Sequence, residues 1–145
     1  MKIVKYRKKD NFYKLIMSPM PATPFKKVLI VDDSKVSRMV IKAHILAAHA
    51  DWIIQEASNG DEAIGAVEKD RPDYCTMDIN MPGMLGTDAA EIILGKYPDI
   101  RVVIFSANIQ EAAQSRAQQL GALFVAKPVT EKSISQAISH FTGAA

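Results

Sequence analysis

The sequence predicts an α/β domain in which a five-stranded parallel sheet is covered by helices on both faces. Short apolar runs alternate strictly with segments whose apolar residues recur at helical spacing, which is the rhythm of consecutive strand–helix–strand units. Several runs are apolar at successive positions, as in strands that are buried on both faces. The composition agrees, because 145 residues with 48% hydrophobic and 23% charged residues make one ordinary globular domain.

The first two strands flank a long helix. Lys26–Val31 (KKVLIV) is a short apolar run and is predicted as a buried strand. The next segment, Lys35–His49, is predicted as a helix because it places six apolar residues at helical spacing: Val36, Met39, Val40, Ala43, Leu46 and Ala47. Trp52–Ala57 (WIIQEA) returns to an apolar run and is predicted as the second strand.

The second helix is predicted to begin at a polar cap. Ser58 or Asn59 can supply this cap, because either side chain can accept a hydrogen bond from a free backbone N–H of the first turn. The helix runs to about Lys69, and its apolar face consists of Ala63, Ile64 and Val67. Asp73–Met77 (DYCTM) is the predicted third strand.

The third helix is bounded by a threonine and a glycine. Thr87 is predicted to cap it, the helix continues through Leu94, and Gly95 is predicted to stop it. Arg101–Ser106 (RVVIFS) follows as the predicted fourth strand.

The last part of the chain completes the alternation. Gln110–Leu120 is a helical segment rich in alanine and glutamine that ends at Gly121. Ala122–Ala126 (ALFVA) is the predicted fifth strand. Thr130 caps the last helix, whose apolar face consists of Ile134, Ala137, Ile138 and Phe141.

The first 24 residues differ in charge from the rest of the chain. They carry six basic residues and one acidic residue, a net charge of +5, whereas residues 25–145 carry 12 basic and 15 acidic residues, a net charge of −3. Ser18–Pro24 (SPMPATP) holds three prolines, which interrupt helices and strands. We expect residues 1–24 to be a basic, disordered leader, with a docking tail as the alternative, and residues 25–145 to form the folded domain.

Charge and composition exclude several functions. Because the folded part is anionic, the overall net charge of +2 does not predict direct binding to nucleic acid. The apolar runs are shorter than the roughly 18 residues that a membrane span needs. The single cysteine, Cys75, cannot form an internal disulfide. We therefore expect a cytoplasmic protein without a membrane span.

The side chains best suited to binding or catalysis lie at the ends of predicted strands. Asp32 and Asp33 follow the first strand, Asp78 follows the third, Ser106 ends the fourth and Lys127 follows the fifth. Ligands of an open parallel sheet bind beyond the carboxyl ends of its strands. We expect these five side chains to share one crevice there.

This set of side chains predicts a site for a cation and a phosphoryl group. Neighbouring carboxylates repel one another, so they require a cation or a proton. Oxygen ligands favour Mg²⁺ or Mn²⁺ over zinc. Lys127 can bind a phosphoryl oxygen and Ser106 can donate a hydrogen bond to one. Asp78 is then the predicted nucleophile, which would form an aspartyl phosphate.

The motifs that carry these residues resemble those of response-regulator receiver domains of the CheY-like type. The resemblance covers about Lys26–Phe141. Its motifs are VLIVDDS (28–34), MDINMPGMLG (77–86), VVIFSA (102–107) and FVAKP (124–128). It implies a doubly wound, flavodoxin-like sheet with the strand order 2-1-3-4-5 and five helices.

The resemblance also implies roles for the residues of the site. Asp78 would be the phosphoacceptor, and Asp32 and Asp33 would hold Mg²⁺, directly or through water, together with Asp78 and the backbone carbonyl of Asn80. Lys127 would bind the phosphoryl group, and the peptide bond between Lys127 and Pro128 would be cis.

Two further positions complete the comparison with the family. Ser106 would be the switch hydroxyl and Phe124 the switch aromatic residue, in a position where tyrosine is commoner. Leu85 stands where the family often has aspartate, which adds an apolar residue to the loop after Asp78.

The function implied by the resemblance is two-component signal transduction. A sensor histidine kinase or phosphotransfer protein would phosphorylate Asp78 of a stand-alone receiver in a reaction that depends on Mg²⁺. The phosphorylated protein, a monomer or weak dimer, would signal through contacts with a downstream protein effector, as in chemotaxis or a phosphorelay. It would slowly lose its own phosphoryl group and turn over no external substrate.

Two alternatives remain open from the sequence. An aspartate nucleophile, a serine, a lysine and a pair of acidic residues also occur in phosphatases of the haloacid-dehalogenase type, although in those enzymes the motifs come in the reverse order. The chain can also be a receiver fragment of a larger regulator. A dinucleotide-binding domain is disfavoured because DDSKVSR, and not a glycine-rich loop, follows the first strand.

Overall fold

The structure is a computed structural model that describes residues 25–144. One five-stranded parallel sheet has the order β2-β1-β3-β4-β5, which confirms the predicted fold class. The strands are β1 (Lys27–Val31), β2 (Ile53–Ala57), β3 (Tyr74–Met77), β4 (Arg101–Ser106) and β5 (Leu123–Ala126). The helices are α1 (Lys35–Ala48), α2 (Gly60–Lys69), α3 (Gly86–Lys96), α4 (Glu111–Gln119) and α5 (Glu131–Thr142). The predicted leader, residues 1–24, lies outside the described range.

The sheet is sandwiched between two apolar layers. Alternate residues of β1 point to opposite faces, so that Leu29 and Val31 join one cluster and Val28 and Ile30 join the other. The first cluster includes buried residues of α2, α3 and α4, and the second includes those of α1 and α5. Fully burying one such aliphatic side chain stabilises the fold by about 1.5–3 kcal/mol. None of the helices within residues 25–144 combines the length and the apolar character needed to cross a bilayer.

The register of the central strands sets the position of the acidic residues. Val31, the last residue of β1, is paired with Ala57 of β2 and with Met77 of β3. The ladder continues one step further, since Asp78 N donates to Val31 O (3.0 Å) and Asp32 N donates to Ala57 O (3.1 Å). Asp32 and Asp78 therefore emerge side by side at the carboxyl edge of the sheet.

The apolar face predicted for helix α1 is not the face that packs on the sheet. Its buried residues are Ile41 and Ile45, which pack in the second cluster. Five of the six residues singled out from the sequence are exposed instead: Val36, Met39, Val40, Ala43 and Ala47. Both stripes have helical spacing, so periodicity alone does not say which stripe faces the sheet. Ile41 and Ile45 pack with Val28 and Ile30 of β1, and the other stripe is left on the outer face of the helix.

The helix caps follow the sequence in two places and depart from it in one. Asn59 caps α2 by accepting a hydrogen bond from Glu62 N, and Thr130 caps α5 by accepting one from Ser133 N. The prediction for α3 was wrong. This helix begins at Gly86 with Leu85 as the N-cap and no side-chain capping bond, so that Thr87 lies inside it.

Gly86 explains the early start of α3. Gly86 N donates to Ile79 O at 2.8 Å, which holds the first turn of the helix against the loop after β3. A Cβ atom at position 86 would overlap the carbonyl oxygen of Asp78 and lie 2.8 Å from its carbonyl carbon. The helix also continues to Lys96, past the stop predicted at Gly95. The close backbone contact at Gly86, and not a side-chain cap, defines the N-terminal end of α3.

Candidate functional site

Three carboxylates meet at the carboxyl edge of the sheet. Asp32, Asp33 and Asp78 each offer an oxygen, and these oxygens all lie within 4.8 Å of one another. Asp32 and Asp78 are buried, with 1% and 8% of their surface exposed, and Asp33 is exposed. The structure thus brings together the three acidic residues that follow the first and third predicted strands.

Asp32 is held by three hydrogen bonds from the protein. Its Oδ2 accepts from Lys127 Nζ at 2.8 Å and from Ser37 Oγ at 2.7 Å. Its Oδ1 accepts from Ser34 N at 2.9 Å. Burial alone would raise the pKa of Asp32, but the hydrogen bonds from Lys127, Ser34 and Ser37 outweigh it and hold the pKa below its usual value. Asp32 is therefore ionised at neutral pH despite its burial.

Asp78 is less well compensated than Asp32. Its Oδ1 accepts a hydrogen bond from Ile79 N at 2.8 Å, and its Oδ2 lies 3.5 Å from Lys127 Nζ. Burial raises the pKa of Asp78, and although Lys127 opposes this, the charge of Asp32 adds to it, so that the pKa stays above its usual value. Oδ2, the oxygen that faces Lys127, is the one without a backbone donor.

Lys127 is the cation of the site. The 21% exposure of its side chain shows that it reaches inward from the end of β5. Burial tends to lower its pKa, but the hydrogen bond to Asp32 and the charge of Asp78 outweigh this and raise the pKa above the usual lysine value. The peptide bond between Lys127 and Pro128 is cis, as the family resemblance implied.

Ser106 connects the site to the loop before α4. It is 1% exposed, and its Oγ accepts a hydrogen bond from Asn108 N at 3.0 Å. The Asn108 side chain in turn accepts from Gln110 N, the N-cap residue of α4, at 3.1 Å. The hydroxyl predicted to respond to a phosphoryl group is thus linked to the start of a helix.

The remaining predicted residues lie around the edge of the site. Phe124 is partly buried and lines a surface cavity of about 550 Å³ together with Ile109 and Gln114. Asn80 is exposed and lines a groove of about 220 Å³ with Leu85. The structure thus places Phe124 beside α4 and Asn80 next to the loop after Asp78.

Two residues of the site were missed in the sequence. The hydroxyl of Ser37 contacts Asp32, and Arg38 Nη1 donates to the backbone carbonyl of Asp32 at 2.7 Å while its Nε donates to Glu56 Oε1 at 3.0 Å. Their position on the first turn of the helix that follows the acidic pair was the available signal, because this turn must pack beside the preceding strand end.

The donor set fits a hard divalent cation. Three clustered carboxylates face one lysine, so the ionised cluster has two negative charges in excess, and all of its ligand atoms are oxygens. Asp33 makes no hydrogen bond or ion pair with another group in the described part of the chain. Asp33 and Asp78 Oδ2 are thus accessible to a cation, and Mg²⁺ suits such a site because it keeps several of its waters.

Comparisons with known proteins agree with this geometry. The model of the response regulator receiver domain family matches residues 28–139. The chemotaxis protein CheY of Thermotoga maritima is 37% identical over 115 residues, which are 79% of this chain and 95% of that protein. A protein-glutamate methylesterase/protein-glutamine glutaminase of Pyrococcus abyssi is 42% identical over 120 residues, which are 80% of this chain and 32% of that enzyme. The chain therefore spans about a third of the methylesterase and nearly all of CheY.

A solved structure extends the comparison to three dimensions. A chain of the CheX–CheY–BeF3–Mg²⁺ complex from Borrelia burgdorferi superposes with a TM-score of 0.70 and 31% sequence identity. The match covers 80% of this chain and 87% of that one.

Proposed function

Because this chain belongs to the response regulator receiver domain family, we propose that it is a switch of two-component signalling that is controlled by phosphorylation of Asp78. The observation that carries the proposal is the arrangement around Asp78 Oδ2, which faces Lys127 at 3.5 Å within a cluster of three carboxylates. The switch would occupy residues 25–145, act in the cytoplasm and function as a monomer or weak dimer.

Asp78 Oδ2 is the nucleophile in this proposal. It forms a bond to phosphorus while the bond between phosphorus and the donor's imidazole nitrogen breaks, and the donor keeps that electron pair. Lys127 holds one phosphoryl oxygen by charge. Mg²⁺ held by Asp32, Asp33, Asp78 and the carbonyl of Asn80 would neutralise charge on the phosphoryl oxygens. Water later attacks the phosphorus atom, the bond between phosphorus and Asp78 Oδ2 breaks, and inorganic phosphate leaves the free carboxylate behind.

The hydrogen bonds of Ser106 supply a route from the site to the surface. In this proposal the Ser106 side chain turns toward the site to donate to a phosphoryl oxygen, and this movement draws its Oγ away from Asn108 N. That release loosens the link between Asn108 and the N-cap of α4. Phe124 then moves inward, and the cavity beside Ile109 changes shape. The readout is a changed affinity for a downstream protein effector.

The exposed stripe of α1 supports a helical phosphodonor as the upstream partner. The helix begins two residues after the acidic pair, and Val36 and Met39 on its outer face are 69% and 57% exposed. Lys35 and Lys42 flank this stripe, Lys42 with Glu56 Oε2 of β2 3.9 Å from its Nζ, and α1 itself has no acidic residue. An amphipathic helix with an acidic rim, supplied by a histidine kinase or phosphotransfer protein, would match this surface in both shape and charge.

No turnover of an external substrate is proposed. The phosphatase alternative is not favoured, because the family match and the strand order belong to receiver domains. Whether the output is chemotaxis or a phosphorelay depends on the partner, and the proposed function includes no methylesterase activity.

Uptake of phosphate from a small donor tests the proposal. The 145-residue protein would be incubated with acetyl phosphate and Mg²⁺, and its intact mass measured with and without EDTA. We expect one added phosphoryl group on the wild type and on Asp61→Asn, an exposed control, and none on Asp78→Asn or in EDTA. A wild-type protein that gains no phosphoryl group would overturn the proposal.

A further inference from the structure

The hydroxyl of Ser37 shares one oxygen of Asp32 with Lys127. Ser37 Oγ donates to Asp32 Oδ2 at 2.7 Å, and Lys127 Nζ donates to the same atom at 2.8 Å. Ser34 N occupies one position on Oδ1. A carboxylate has about four acceptor positions, so Asp32 retains only one, on Oδ1.

Ser37 is itself held in place by the start of α1. Its backbone N donates at 3.1 Å to Oγ of Ser34, the N-cap residue. The next residue, Arg38, donates to the backbone carbonyl of Asp32 at 2.7 Å. The first turn of α1 therefore fixes both the backbone and the carboxylate of Asp32.

We propose that Ser37 is a positioning residue that keeps the Asp32 carboxylate available to a divalent cation. This inference rests on the proposed function, because it concerns the same acidic cluster. Without the Ser37 hydroxyl, Lys127 is the one partner of Oδ2 among residues 25–144, and the carboxylate can rotate toward the ammonium group. The ion pair between Asp32 and Lys127 then tightens, and a cation must compete with it.

The expected effect is a loss of Mg²⁺ affinity. Hydrogen bonds that orient a metal ligand typically contribute about 10–100-fold to affinity. We expect Ser37→Ala to weaken Mg²⁺ binding by about tenfold, at the lower end of this range because Ser34 N still holds Oδ1. Alanine is a better helix former than serine, so α1 is retained in the variant. Ser37→Thr keeps the hydroxyl and should bind Mg²⁺ like the wild type.

Ser34→Ala is the matched control. It removes a hydroxyl from the same helix end, but the contact of Ser34 with Asp32 is made by the backbone N and remains. A general loosening of α1 would therefore appear in Ser34→Ala, whereas loss of the Asp32 contact would appear only in Ser37→Ala.

Calorimetric titration with Mg²⁺ measures the metal affinity of the unphosphorylated 145-residue proteins. Electron paramagnetic resonance repeats the measurement with Mn²⁺. Support requires weakened Mg²⁺ binding in Ser37→Ala, near wild-type binding in Ser37→Thr, and a clearly smaller loss of binding in Ser34→Ala than in Ser37→Ala. Equal affinities in all four proteins, or equal losses in Ser34→Ala and Ser37→Ala, would overturn the inference. A wild type that binds Mg²⁺ but takes up no phosphoryl group would overturn the proposed function alone, because the affinity comparison still decides the role of Ser37.

Discussion

Lys127 lies closer to Asp32 than to Asp78, with its Nζ 2.8 Å from Asp32 Oδ2 and 3.5 Å from Asp78 Oδ2. The two carboxylates respond in opposite directions. The pKa of Asp32 is held below its usual value, since its hydrogen bonds outweigh its burial, whereas burial raises the pKa of Asp78. One lysine thus stabilises the carboxylate beside it and leaves the neighbouring one undercompensated, which is the condition in which Asp78 gains most from an added cation.

Replacing Asp78 should stabilise the protein in the absence of metal. Because the folded-state pKa of Asp78 exceeds its unfolded value of about 3.8, the ionised group opposes folding above the folded-state pKa. We expect Asp78→Asn to raise the free energy of unfolding at neutral pH by on the order of 1 kcal/mol. The gain should shrink as the pH falls through the folded pKa toward 3.8, where the wild-type group is protonated. Urea denaturation in EDTA at a series of pH values measures it, and a less stable variant at neutral pH would contradict this account.

Removing Lys127 should have the opposite effect. Lys127→Ala leaves the buried Asp32 without its cation, and the loss of one partner from a buried pair is strongly destabilising. Because the Lys127 side chain is 21% exposed, we expect a loss of about 2 kcal/mol, less than for a fully buried pair. The pKa of Asp32 is lowered in the folded protein. The ion pair therefore stabilises the folded state at pH values above the unfolded pKa of about 3.8, and this stabilisation is lost as the pH falls through the lower folded-state pKa.

The control for Lys127 is Lys132, which is exposed on α5. Lys132→Ala should change stability by less than about 0.5 kcal/mol, as is usual for surface substitutions. Thermal or urea denaturation of both variants in EDTA tests the prediction, and equal effects of the two substitutions would show that the ion pair does not stabilise the fold.

The glycine at the start of α3 should tolerate no side chain. A Cβ at Gly86 would overlap the backbone of Asp78 and lie 2.9 Å from Met77 Cγ, and these neighbours belong to the sheet edge and its loop. We expect Gly86→Ala to destabilise the protein by about 3 kcal/mol, the upper end of the usual cost of overpacking. It should also slow phosphorylation, because the Asp78 backbone must shift.

Gly65 provides the matched control for Gly86. It lies inside α2, and a Cβ there would meet nothing within 4 Å. Gly65→Ala should therefore stabilise the protein by about 0.5–1 kcal/mol, since alanine is favoured over glycine within helices. If urea denaturation gave changes in the free energy of unfolding of the same sign for both substitutions, the inferred steric overlap at Gly86 would be contradicted.

The exposed stripe of α1 should matter for a protein donor and not for a small one. Met39→Glu places a charge in the stripe without disturbing the core, because Met39 is 57% exposed. We expect it to reduce phosphotransfer from the cognate kinase or phosphotransfer protein by at least about tenfold, a loss of about 1.4 kcal/mol in binding. Phosphorylation by acetyl phosphate should be unchanged.

Ile92→Glu is the control for this substitution, because Ile92 is 50% exposed on α3, a helix on the other side of the sheet. Phosphotransfer rates from both donors would be measured for the two variants and the wild type. An equal loss with the protein donor in both variants would mean that added charge, and not the stripe, is responsible.

The sequence was sufficient for the fold because its signals are local. Alternating apolar runs predict the strands, and Asn59 and Thr130 mark the helices that they cap. The orientation of α1 was not local in this sense. Two stripes of apolar residues share the helix, and the choice of Ile41 and Ile45 for the core depends on the space above β1, which only the assembled sheet defines.

The site, too, has features that the sequence predicts and features that it does not. The sequence could place Asp32, Asp78 and Lys127 at one edge of the sheet, because parallel strands end there together. It could not predict that Lys127 would pair with Asp32, 95 residues away, more closely than with Asp78, or that Ser37 would share the same oxygen. These contacts depend on side-chain directions that strand ends alone leave undetermined.

Locating the phosphoryl group on the chain decides whether Asp78 carries it. After incubation with acetyl phosphate and Mg²⁺, borohydride reduction converts an aspartyl phosphate to homoserine, and peptide mass spectrometry identifies the position. We expect homoserine at position 78 in the wild type and at no position in Asp78→Asn. Reduction at Asp32 or Asp33, or unchanged labelling of Asp78→Asn, would contradict it.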